Sequence, residues 1–246
     1  MNSIPDSRPP AAATVSIIIP TYNEAAQIGA LVAYLRAHGA AEASVEILVA
    51  DAQSPDGTAG VAAAAGARVL QCPRKGRAAQ LNHGARQASS QLLYFLHADT
   101  LPPPDFLAQI RQALADEKMG SGCFRLRFDY PHWFLRLSAW FTRFDMDLLR
   151  FGDQSLFVRA EVFWQAGGFR EELLVLEDQE IIGRLRRHGR FRLLPLAVTT
   201  SARKYRENGV FRLQFTFGLL CALYYLRVPQ PVLVRTYRRL IRQDKL

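Results

Sequence analysis

The stretch VSIIIPTYNEAAQIGALVAYLRAHG, residues 15–39, contains the pattern that repeats through the first half of the chain. Its first six residues are largely apolar and β-branched, a composition typical of a buried strand. Apolar residues from Ile28 to Leu35 then recur at helical spacing, and Gly39 is a common helix stop. The polar residues of PTYNE lie between the two, so the stretch predicts a strand, a polar turn and a helix.

The same alternation continues through the first hundred residues. VEILVA (45–50) is a second apolar run, the small-residue helix GTAGVAAAAG follows it, and ARVLQC is a third, weaker strand. GRAAQLNHGARQAS then predicts a helix, and LLYFLHA a fourth strand. Strands that alternate with helices predict an α/β fold with a mostly parallel sheet, and continuously apolar strands favour a sheet covered on both faces.

Three of the predicted strands end in polar residues, namely PTYNE, Asp51 and Asp99. In open α/β sheets, ligands bind beyond the carboxyl ends of the strands. Asp and Asn are also ordinary turn residues, which is the simpler explanation for any single strand end. Because three such ends meet at one edge of the sheet, together they favour a binding site. Prolines after Asp99 end the fourth strand and lead into the predicted helix DFLAQIRQALADE.

The second half of the chain is less regular. GCFRLRF and QSLFVR favour strands, HWFLRLSAWFTRFDMDLLR between them has a broad apolar helical face, and a further helix is predicted over residues 177–188. The sequence contains no repeat and no clear linker. We therefore expect a flexible lead-in (1–13), one domain (14–205) and C-terminal amphipathic, basic helices (206–246).

Composition limits the class of protein. With 246 residues, 49% of them hydrophobic, the chain can bury a sizeable core, which excludes a disordered protein. Cys72, Cys123 and Cys221 are far apart and odd in number, which argues against a disulfide framework or a zinc site and favours a reducing compartment. MNSIPDSRPPAAAT has no apolar h-region, so we expect no signal peptide and a cytoplasmic protein.

The formal charge of +9 is unevenly distributed along the chain. Residues 184–246 hold fifteen Lys and Arg against two acids, a charge of +13, whereas residues 1–183 carry −4. Such a basic segment suits a phosphate-bearing ligand, an anionic membrane surface or nucleic acid, or is simply a solvated face. No zinc-finger or RNA-binding motif accompanies it, so a nucleic-acid partner is not expected.

The most apolar segment, VFRLQFTFGLLCALYYLRVP, precedes the basic segment PVLVRTYRRLIRQDKL. Its uninterrupted apolar core, residues 217–226, is about half of the roughly 20 residues that a membrane-spanning helix needs. An apolar helix followed by a basic amphipathic one suits association with the cytoplasmic face of an anionic membrane. A helix packed on the body with a basic exterior explains the pattern equally well.

The chain resembles the family 2 glycosyltransferases, which have the Rossmann-like GT-A fold, over residues 16 to about 189. The resemblance rests on an ordered set of motifs: SIIIPTYNE, ILVADAQSPDGT, KGRAAQLNHG, LHADT, FGDQSLFVR, GGF and LEDQEIIGRLRRHG. Each motif is weak alone, but their order is specific. LHADT, FGDQ and TSARKY also resemble a short stand-alone bacterial branch associated with arsenosugar biosynthesis.

The resemblance implies an inverting enzyme that moves a sugar from a nucleotide diphosphate, with UDP favoured, to the hydroxyl of a small or lipid-linked acceptor. It implies that the nucleotide sugar is bound by Pro20, Tyr22, Glu24, Asp51, Gly76, Arg77 and Asp99. His97 and Arg203, which the family pattern does not supply, are added as expected contacts of the donor. Tyr22 would stack on the base, Asp51 would accept a hydrogen bond from it, and Arg77 would reach the phosphates. PTYNE is also compatible with a helix cap, and the neighbouring Lys75 with a surface charge pair.

The family usually carries Asp-x-Asp for a divalent cation at the end of the fourth strand, where this chain has His97-Ala98-Asp99. Asp99 and diphosphate oxygens can still hold Mg²⁺ or Mn²⁺, since Mg²⁺ often uses only one or two carboxylates. A neutral imidazole suits Mn²⁺ better than Mg²⁺. For His97 a ribose or phosphate contact is favoured over metal ligation, with a satisfied core histidine as the alternative.

By resemblance, Asp178 in LEDQE is the base that takes the proton of the acceptor hydroxyl. The position of Asp178 has an equally good alternative explanation, because acidic residues at a helix N-terminus interact favourably with the helix dipole. Gly152, Asp153 and Gln154 resemble the segment on the acceptor side, although Asp153 also suits a turn.

The basic segment TSARKYRENG is expected to form a loop in which Arg203 and Lys204 close over the diphosphate. Two other classes stay open. A sugar-1-phosphate nucleotidyltransferase has a similar architecture, but it is expected to carry a Gly-rich, Arg-containing loop where this chain has PTYNEAAQ. The other is a non-enzymatic module that binds membranes or nucleic acid.

Overall fold

A computed structural model describes residues 13–146, 150 and 152–242 of the chain. The first half consists of strands that alternate with helices, as the sequence predicts. Its elements are β1 (Val15–Thr21), α1 (Ala25–Leu35), β2 (Val45–Asp51), α2 (Thr58–Ala64), β3 (Arg68–Gln71), α3 (Arg77–Gln87) and β4 (Leu92–Phe95).

The second half adds longer strands and more helices. Its elements are β5 (Thr100–Leu101), α4 (Phe106–Ala113), β6 (Met119–Phe128), α5 (Trp133–Phe141), β7 (Leu156–Arg159), α6 (Ala160–Gln165), α7 (Glu177–Leu185), β8 (Arg190–Thr200), α8 (Arg203–Asn208), α9 (Val210–Tyr225) and α10 (Gln230–Leu240). A π-helical turn, Arg36–Ala40, follows α1, and a 3-10 turn, Gly152–Gln154, precedes β7.

The eight strands form one mixed sheet in the order β3-β2-β1-β4-β7-β6-β8-β5. Strands β1 to β4 pair in parallel, which confirms the predicted α/β class. Strand β7 then runs antiparallel to both β4 and β6, while β6 and β8 are parallel to each other. The carboxyl ends of β1, β2 and β4 therefore lie at one edge of the sheet, as we expected from the polar residues that follow these strands.

Helices cover both faces of the sheet, so its central strands are apolar on both sides. On β1, Ile17 and Ile19 pack into one core with α1 and α4, while Ile18 packs into a second core with α3 and α7. All three isoleucines are fully buried. Burying a side chain of this size contributes about 1.5–3 kcal/mol, so the run at residues 15–20 stabilises both layers at once.

The C-terminal helices do not stand apart from the body. Leu213, Leu220, Leu233 and Tyr237 of α9 and α10 share a third core with Leu135 of α5. No described helix has the length and apolarity needed to cross a bilayer. The boundary between a domain of residues 14–205 and C-terminal helices of residues 206–246 stays a prediction.

The structure departs from the sequence analysis at three points. The helix predicted across residues 132–150 ends at Phe141, because the hydroxyl of Thr142 donates to the carbonyl of Ala139 (2.6 Å) and accepts from the amide of Leu126 (3.1 Å). Residues 147–149 of that segment, and residue 151 after it, lie outside the described residues.

The other two corrections concern elements that sequence reasoning missed. Strand β8 contains Pro195, which argues against a strand, yet its pairing with β6 shifts register around the proline, from Cys123↔Leu193 to Arg125↔Ala197. The basic segment expected as a loop is the helix α8.

Candidate active site

A cavity of about 650 Å³ opens beyond the carboxyl ends of β1 and β4. Its walls also include the N-termini of α3, α7 and α8 and the inner faces of α9 and α10. The predicted site residues that line it are Pro20, Tyr22, Glu24, Gly76, Arg77, His97, Asp99, Asp153, Asp178 and Arg203. Residues from every quarter of the chain thus meet at one place, which their spacing in sequence did not show.

The aromatic ring of Tyr22 lies at the cavity wall just after β1. The Lys75 Nζ atom stands 3.7 Å from the centroid of this ring, a cation–π contact. Lys75 is an exposed residue, and its contact with Tyr22 was not expected from the sequence. Stacking of a base on Tyr22 would need the other face of the ring or a movement of Lys75.

Asp51 does not line the cavity. It is buried, and its carboxylate accepts hydrogen bonds from the hydroxyls of Thr21 (2.9 Å) and Ser54 (2.6 Å) and from the Ser54 amide (2.8 Å). In this arrangement Asp51 ties the ends of β1 and β2 together. A direct hydrogen bond from a nucleobase to Asp51 stays a prediction.

Gly76 forms the turn that starts α3 and brings Arg77 into the cavity. Its φ of 132° and ψ of 131° lie in a region that only glycine occupies readily. A Cβ there would meet only a methyl group of Leu174, at 3.7 Å, so backbone strain rather than lack of space requires glycine. The structure supports the tight turn predicted at this position.

Arg77 pairs with two carboxylates that lie a hundred residues later in sequence. One guanidinium nitrogen donates to Glu177 Oε1 at 3.2 Å and stands 3.5 Å from Asp178 Oδ2. Burial alone would lower the pKa of Arg77, but the charges of Glu177 and Asp178 outweigh it and raise its pKa. These three side chains form the most strongly charged group in the cavity wall.

Glu177 is the residue of this group that sequence reasoning did not assign. Its side chain is only 2% exposed, and no described residue hydrogen-bonds its Oε2 atom. Burial, and secondarily the charge of Asp178, raise the pKa of Glu177 to about 7 despite the nearby Arg77. Its high burial could not be foreseen, because acids in the first turn of a helix are ordinary surface residues.

The backbone also marks the start of α7. Leu176, directly before Glu177, has φ 65° and ψ 21°, the left-handed region that a leucine rarely adopts. Such strain occurs preferentially where a side chain must be aimed at a ligand. Leu176 directly precedes the two acids that contact Arg77.

His97 and Asp153 are in contact with each other in the cavity wall. The His97 Nδ1 atom lies 3.1 Å from Asp153 Oδ1. Burial and Arg77 act to lower the pKa of His97, but the hydrogen bond and charge of Asp153 prevail and raise it. His97 also lowers the pKa of Asp153 to about 2, against the opposing effect of burial. His97 is thus hydrogen-bonded to Asp153 and lines the cavity, and its role as a donor contact stays a prediction.

Of the other two members of the predicted acceptor segment, Gln154 does not line the cavity. Gly152 starts the 3-10 turn before β7. The buried amide of Gln154 donates to the carbonyl of Phe124 at 3.1 Å, a structural contact. Their assignment to the acceptor side stays a prediction.

Asp99 is suited to a cation because its carboxylate is not engaged elsewhere. The side chain lines the cavity and makes no hydrogen bond or ion pair with any described residue. Its backbone carbonyl accepts from the amide of Ser201 at 3.0 Å, which fixes its position. The described residues contain no group of three metal-ligating side chains, so an ion here would need donor phosphates and water as further ligands.

Cations converge on the cavity from the C-terminal part of the chain. Arg203 stands 3.9 Å from Glu24, and Lys204 Nζ lies 3.3 Å from the hydroxyl of Tyr237. Arg238 also lines the cavity. The basic segment therefore places positive charge in the wall of the cavity, on a helix instead of the expected loop.

An apolar half of the cavity escaped sequence analysis. It is lined by Leu126, Phe128, Val175, Phe217, Leu220 and Cys221, contributed by β6, α9 and the segment before α7. The apolar content of α9 was the one feature of the sequence that could have indicated it. Apolar content does not distinguish a helix that lines a cavity from a helix that is simply buried.

Residues 16–170 match the profile described as Glycosyl transferase family 2. The chain belongs to this family. Validoxylamine A glucosyltransferase of Streptomyces hygroscopicus subsp. jinggangensis is 30% identical over an alignment of 229 positions, covering 75% of this chain and 53% of that protein. The chain thus spans about half the length of this curated relative.

Solved structures share the fold. The mannosyltransferase PcManGT of Pyrobaculum calidifontis, in complex with GDP-Man and Mn²⁺, superposes with a TM-score of 0.71 at 22% identity, covering 92% of this chain and 69% of that one. Glucosyl-3-phosphoglycerate synthase of Mycobacterium tuberculosis, with Mn²⁺, UDP and product, gives 0.63 at 19% identity, covering 89% and 82%. The GT-A fold expected by resemblance is confirmed, while the arsenosugar-associated branch stays a prediction.

Proposed function

We propose that this family 2 member transfers a sugar from a nucleotide diphosphate to an acceptor hydroxyl. The observation that carries the proposal is the pairing of Arg77 with Glu177 and Asp178 in the same cavity as the free carboxylate of Asp99. The cavity thus contains arginines that can bind a diphosphate and carboxylates that can accept a proton.

The donor would lie between the carboxyl ends of β1 and β4. Pro20, Tyr22 and Glu24 would surround the nucleoside, and Arg77 and Arg203 would face the phosphates. Among the structural relatives, PcManGT is in complex with GDP-Man and S. aureus TarS with UDP-GlcNAc. We favour UDP as the nucleotide.

A divalent cation fits the site through one carboxylate. Asp99 would hold Mn²⁺ or Mg²⁺ together with diphosphate oxygens and water, and the ion would neutralise charge on the diphosphate. The relatives crystallised with Mn²⁺ support this choice. His97 would then act as a polar contact to the donor, oriented by Asp153.

Asp178 would be the base of a single displacement. The acceptor oxygen attacks the anomeric carbon, its proton passes to a carboxylate oxygen of Asp178, and the bond from the anomeric carbon to the diphosphate oxygen breaks with its electron pair leaving on the diphosphate. One such displacement inverts the anomeric configuration. Asp178 is 17% exposed, within the cavity, and Arg77 on its other side holds it in place.

The test of the proposal uses candidate sugar nucleotides without an acceptor. UDP, GDP and dTDP sugars, with and without Mn²⁺, are screened for a rise in melting temperature, since a ligand of the folded state stabilises it. The stabilising donor is then followed for slow release of nucleoside diphosphate. Release of pyrophosphate from a nucleoside triphosphate and a sugar phosphate would instead identify a nucleotidyltransferase, and no stabilisation by any nucleotide would refute both.

The assignment of Asp178 has its own test. Asp178→Asn is expected to leave donor binding intact and to slow transfer by about 10²–10⁴-fold, the usual contribution of a general base. Asp116→Asn, in an exposed turn, is the matched control and should transfer at the wild-type rate. Transfer by Asp178→Asn close to that of Asp116→Asn would show that the base is another residue.

A further inference from the structure

Exposed aromatic and aliphatic side chains cover the outer sides of α5 and α9. We propose that this surface, called here the aromatic surface, docks on the headgroup region of an anionic lipid bilayer. Its members are Trp133, Leu137, Trp140, Phe141, Phe144, Phe211, Phe215, Tyr225 and Leu226. This inference goes beyond the proposed sugar transfer and does not depend on it.

Helix α5 is apolar on two opposite sides. Leu135 on its inner side is fully buried in the third core. On the outer side, Trp133 is 62% exposed, and Leu137, Trp140 and Phe141 follow at helical spacing with more than two fifths of their surface exposed. Packing into the protein's own core explains why the inner side of α5 is apolar. It does not explain the exposed apolar side chains on the outer side.

Helix α9 repeats this arrangement over its full length. Leu213 and Leu220 are buried, whereas Phe211 and Phe215 are 56% and 73% exposed. The exposed stripe continues past glycine and alanine to Tyr225 at the other end of the helix. A continuous apolar stripe facing solvent is unusual for a helix that already buries its other side.

The two stripes form one surface. The Phe211 ring lies 6.0 Å from that of Trp133 and 5.1 Å from that of Phe134, centroid to centroid. Aromatic side chains present about 150–250 Å² each. The six half-exposed Trp and Phe rings therefore contribute roughly 600 Å², at the upper end of the apolar patches found on monomeric proteins.

The charge of the helices at the aromatic surface favours an anionic partner. Helices α5, α9 and α10 contain five arginines and no Asp or Glu. Arg235 and Arg239 are exposed on α10, which packs beside α9, and Arg143 stacks on the Trp140 ring at 4.4 Å. Tryptophan and phenylalanine flanked by arginine are typical of helices that lie in the interface of anionic membranes.

A second copy of the chain is a poorer partner. A two-fold symmetric contact would place the same surface on both sides, and helices α5, α9 and α10 have no acidic side chain that could neutralise its arginines. Anionic headgroups would neutralise these arginines, and the aromatic rings would enter the boundary between headgroups and acyl chains. Electrostatic attraction and apolar burial together give stable binding at a membrane interface.

The inner sides of the same helices line the active-site cavity. Ser138 of α5 and Phe217 of α9 contribute to its wall. Docking through the outer sides would therefore place the cavity close to the headgroups. If sugar transfer is the activity, an acceptor carried by a lipid would have a short path to Asp178.

The first test is flotation with lipid vesicles. The protein should float with phosphatidylcholine vesicles that contain phosphatidylserine, and much less with phosphatidylcholine alone. Phe211→Ser combined with Phe215→Ser should lower the partition constant roughly tenfold or more. Trp164→Ser is the matched control, because Trp164 is 42% exposed on α6, which packs into a different core.

Neither Phe211 nor Phe215 lines the cavity, so the double variant should hydrolyse donor without lipid as the wild type does. Normal hydrolysis with lost flotation supports the proposal. Wild-type protein that does not float with phosphatidylserine vesicles overturns it, as does an equal loss in Trp164→Ser. A dimer that the double variant dissociates would assign the surface to protein contact instead. Failure of sugar transfer alone would leave lipid binding standing.

Tryptophan fluorescence gives an independent measurement. Of the three tryptophans in the chain, Trp133 and Trp140 lie on the aromatic surface and Trp164 does not. Vesicles with phosphatidylserine should shift the emission of Trp164→Phe to shorter wavelength and leave the emission of Trp133→Phe/Trp140→Phe unchanged. The opposite pattern overturns the proposal without any reference to enzymatic activity.

Discussion

Glu177→Gln should make the protein more stable and less active. Glu177 is almost completely buried, carries one carboxylate oxygen without a described partner, and has a pKa raised to about 7. Glutamine keeps the shape of the side chain but has no charge. Because Arg77 then loses one of its two carboxylate partners, we expect weaker donor binding and slower transfer.

The size of the stability effect follows from the pKa. The pKa of Glu177 is about 7 in the folded protein against 4.5 as its ordinary value. Each pKa unit corresponds to about 1.36 kcal/mol, so ionised Glu177 lowers the free energy of unfolding by about 3 kcal/mol. The lost pairing with Arg77 reduces the gain, so we expect Glu177→Gln to add about 1–3 kcal/mol at alkaline pH.

The sign of the pH dependence is fixed by the direction of the shift. A carboxyl whose pKa is raised by folding gives its full contribution to stability below its unfolded pKa and loses it as pH rises through the folded value. Wild-type stability should therefore fall between about pH 4.5 and pH 7 by an amount that the variant does not show.

The assay is urea unfolding of both proteins at about pH 5 and about pH 8. The difference in free energy of unfolding should be small at the lower pH and reach its full value at the higher one. Glu161→Gln, at an exposed carboxylate on α6, is the control and should show no pH-dependent difference. A difference that is the same at both pH values would refute the reasoning, because burial of the charge would then not be its cause.

Three further predictions address the donor side. Asp99→Ala should weaken binding of the sugar nucleotide and abolish its dependence on Mn²⁺, whereas unchanged metal-dependent affinity in calorimetry would exclude Asp99 as the ligand. Arg203→Ala should slow donor hydrolysis by about 10²–10³-fold by analogy with other electrostatic donors, and Arg239→Ala, which lies outside the cavity, should have little effect; equal and small losses would leave Arg203 a surface role only. Gly76→Ala should lower the free energy of unfolding by about 1–3 kcal/mol through backbone strain and weaken donor affinity. Gly60→Ala, in open space on α2, should be neutral or stabilising, and equal melting temperatures for the two would contradict the argument.

Much of the sheet and one edge of the site could be predicted from local sequence. Buried β-branched runs such as the one at residues 15–20 can only be satisfied between two layers, and the polar residues after them must lie at the strand ends. Position alone left Asp178 undecided between a base and a helix-terminus acid. The structure adds the contact with Arg77.

Elements whose reasons lie in distant contacts could not be predicted. Strand β8 forms despite Pro195 because β6 supplies its partners over most of its length, with a register shift at the proline. The helix after Trp133 stops early because Thr142 bonds to a strand that precedes it in sequence. Neither competing interaction is visible in a window of neighbouring residues.

The sequence by itself determined the alternation of strands and helices and the tight turn at Gly76. It also determined which polar residues follow most of the strands of the parallel half of the sheet. Local backbone sterics and periodic burial act over a few residues, so they can be deduced from the chain alone. Only the tertiary structure decided that Arg77 meets Glu177, that burial raises the pKa of that carboxyl, and that α9 and α10 close the cavity. Electrostatic interactions depend on distance and on exclusion of water, and both are set by packing between segments far apart in the chain.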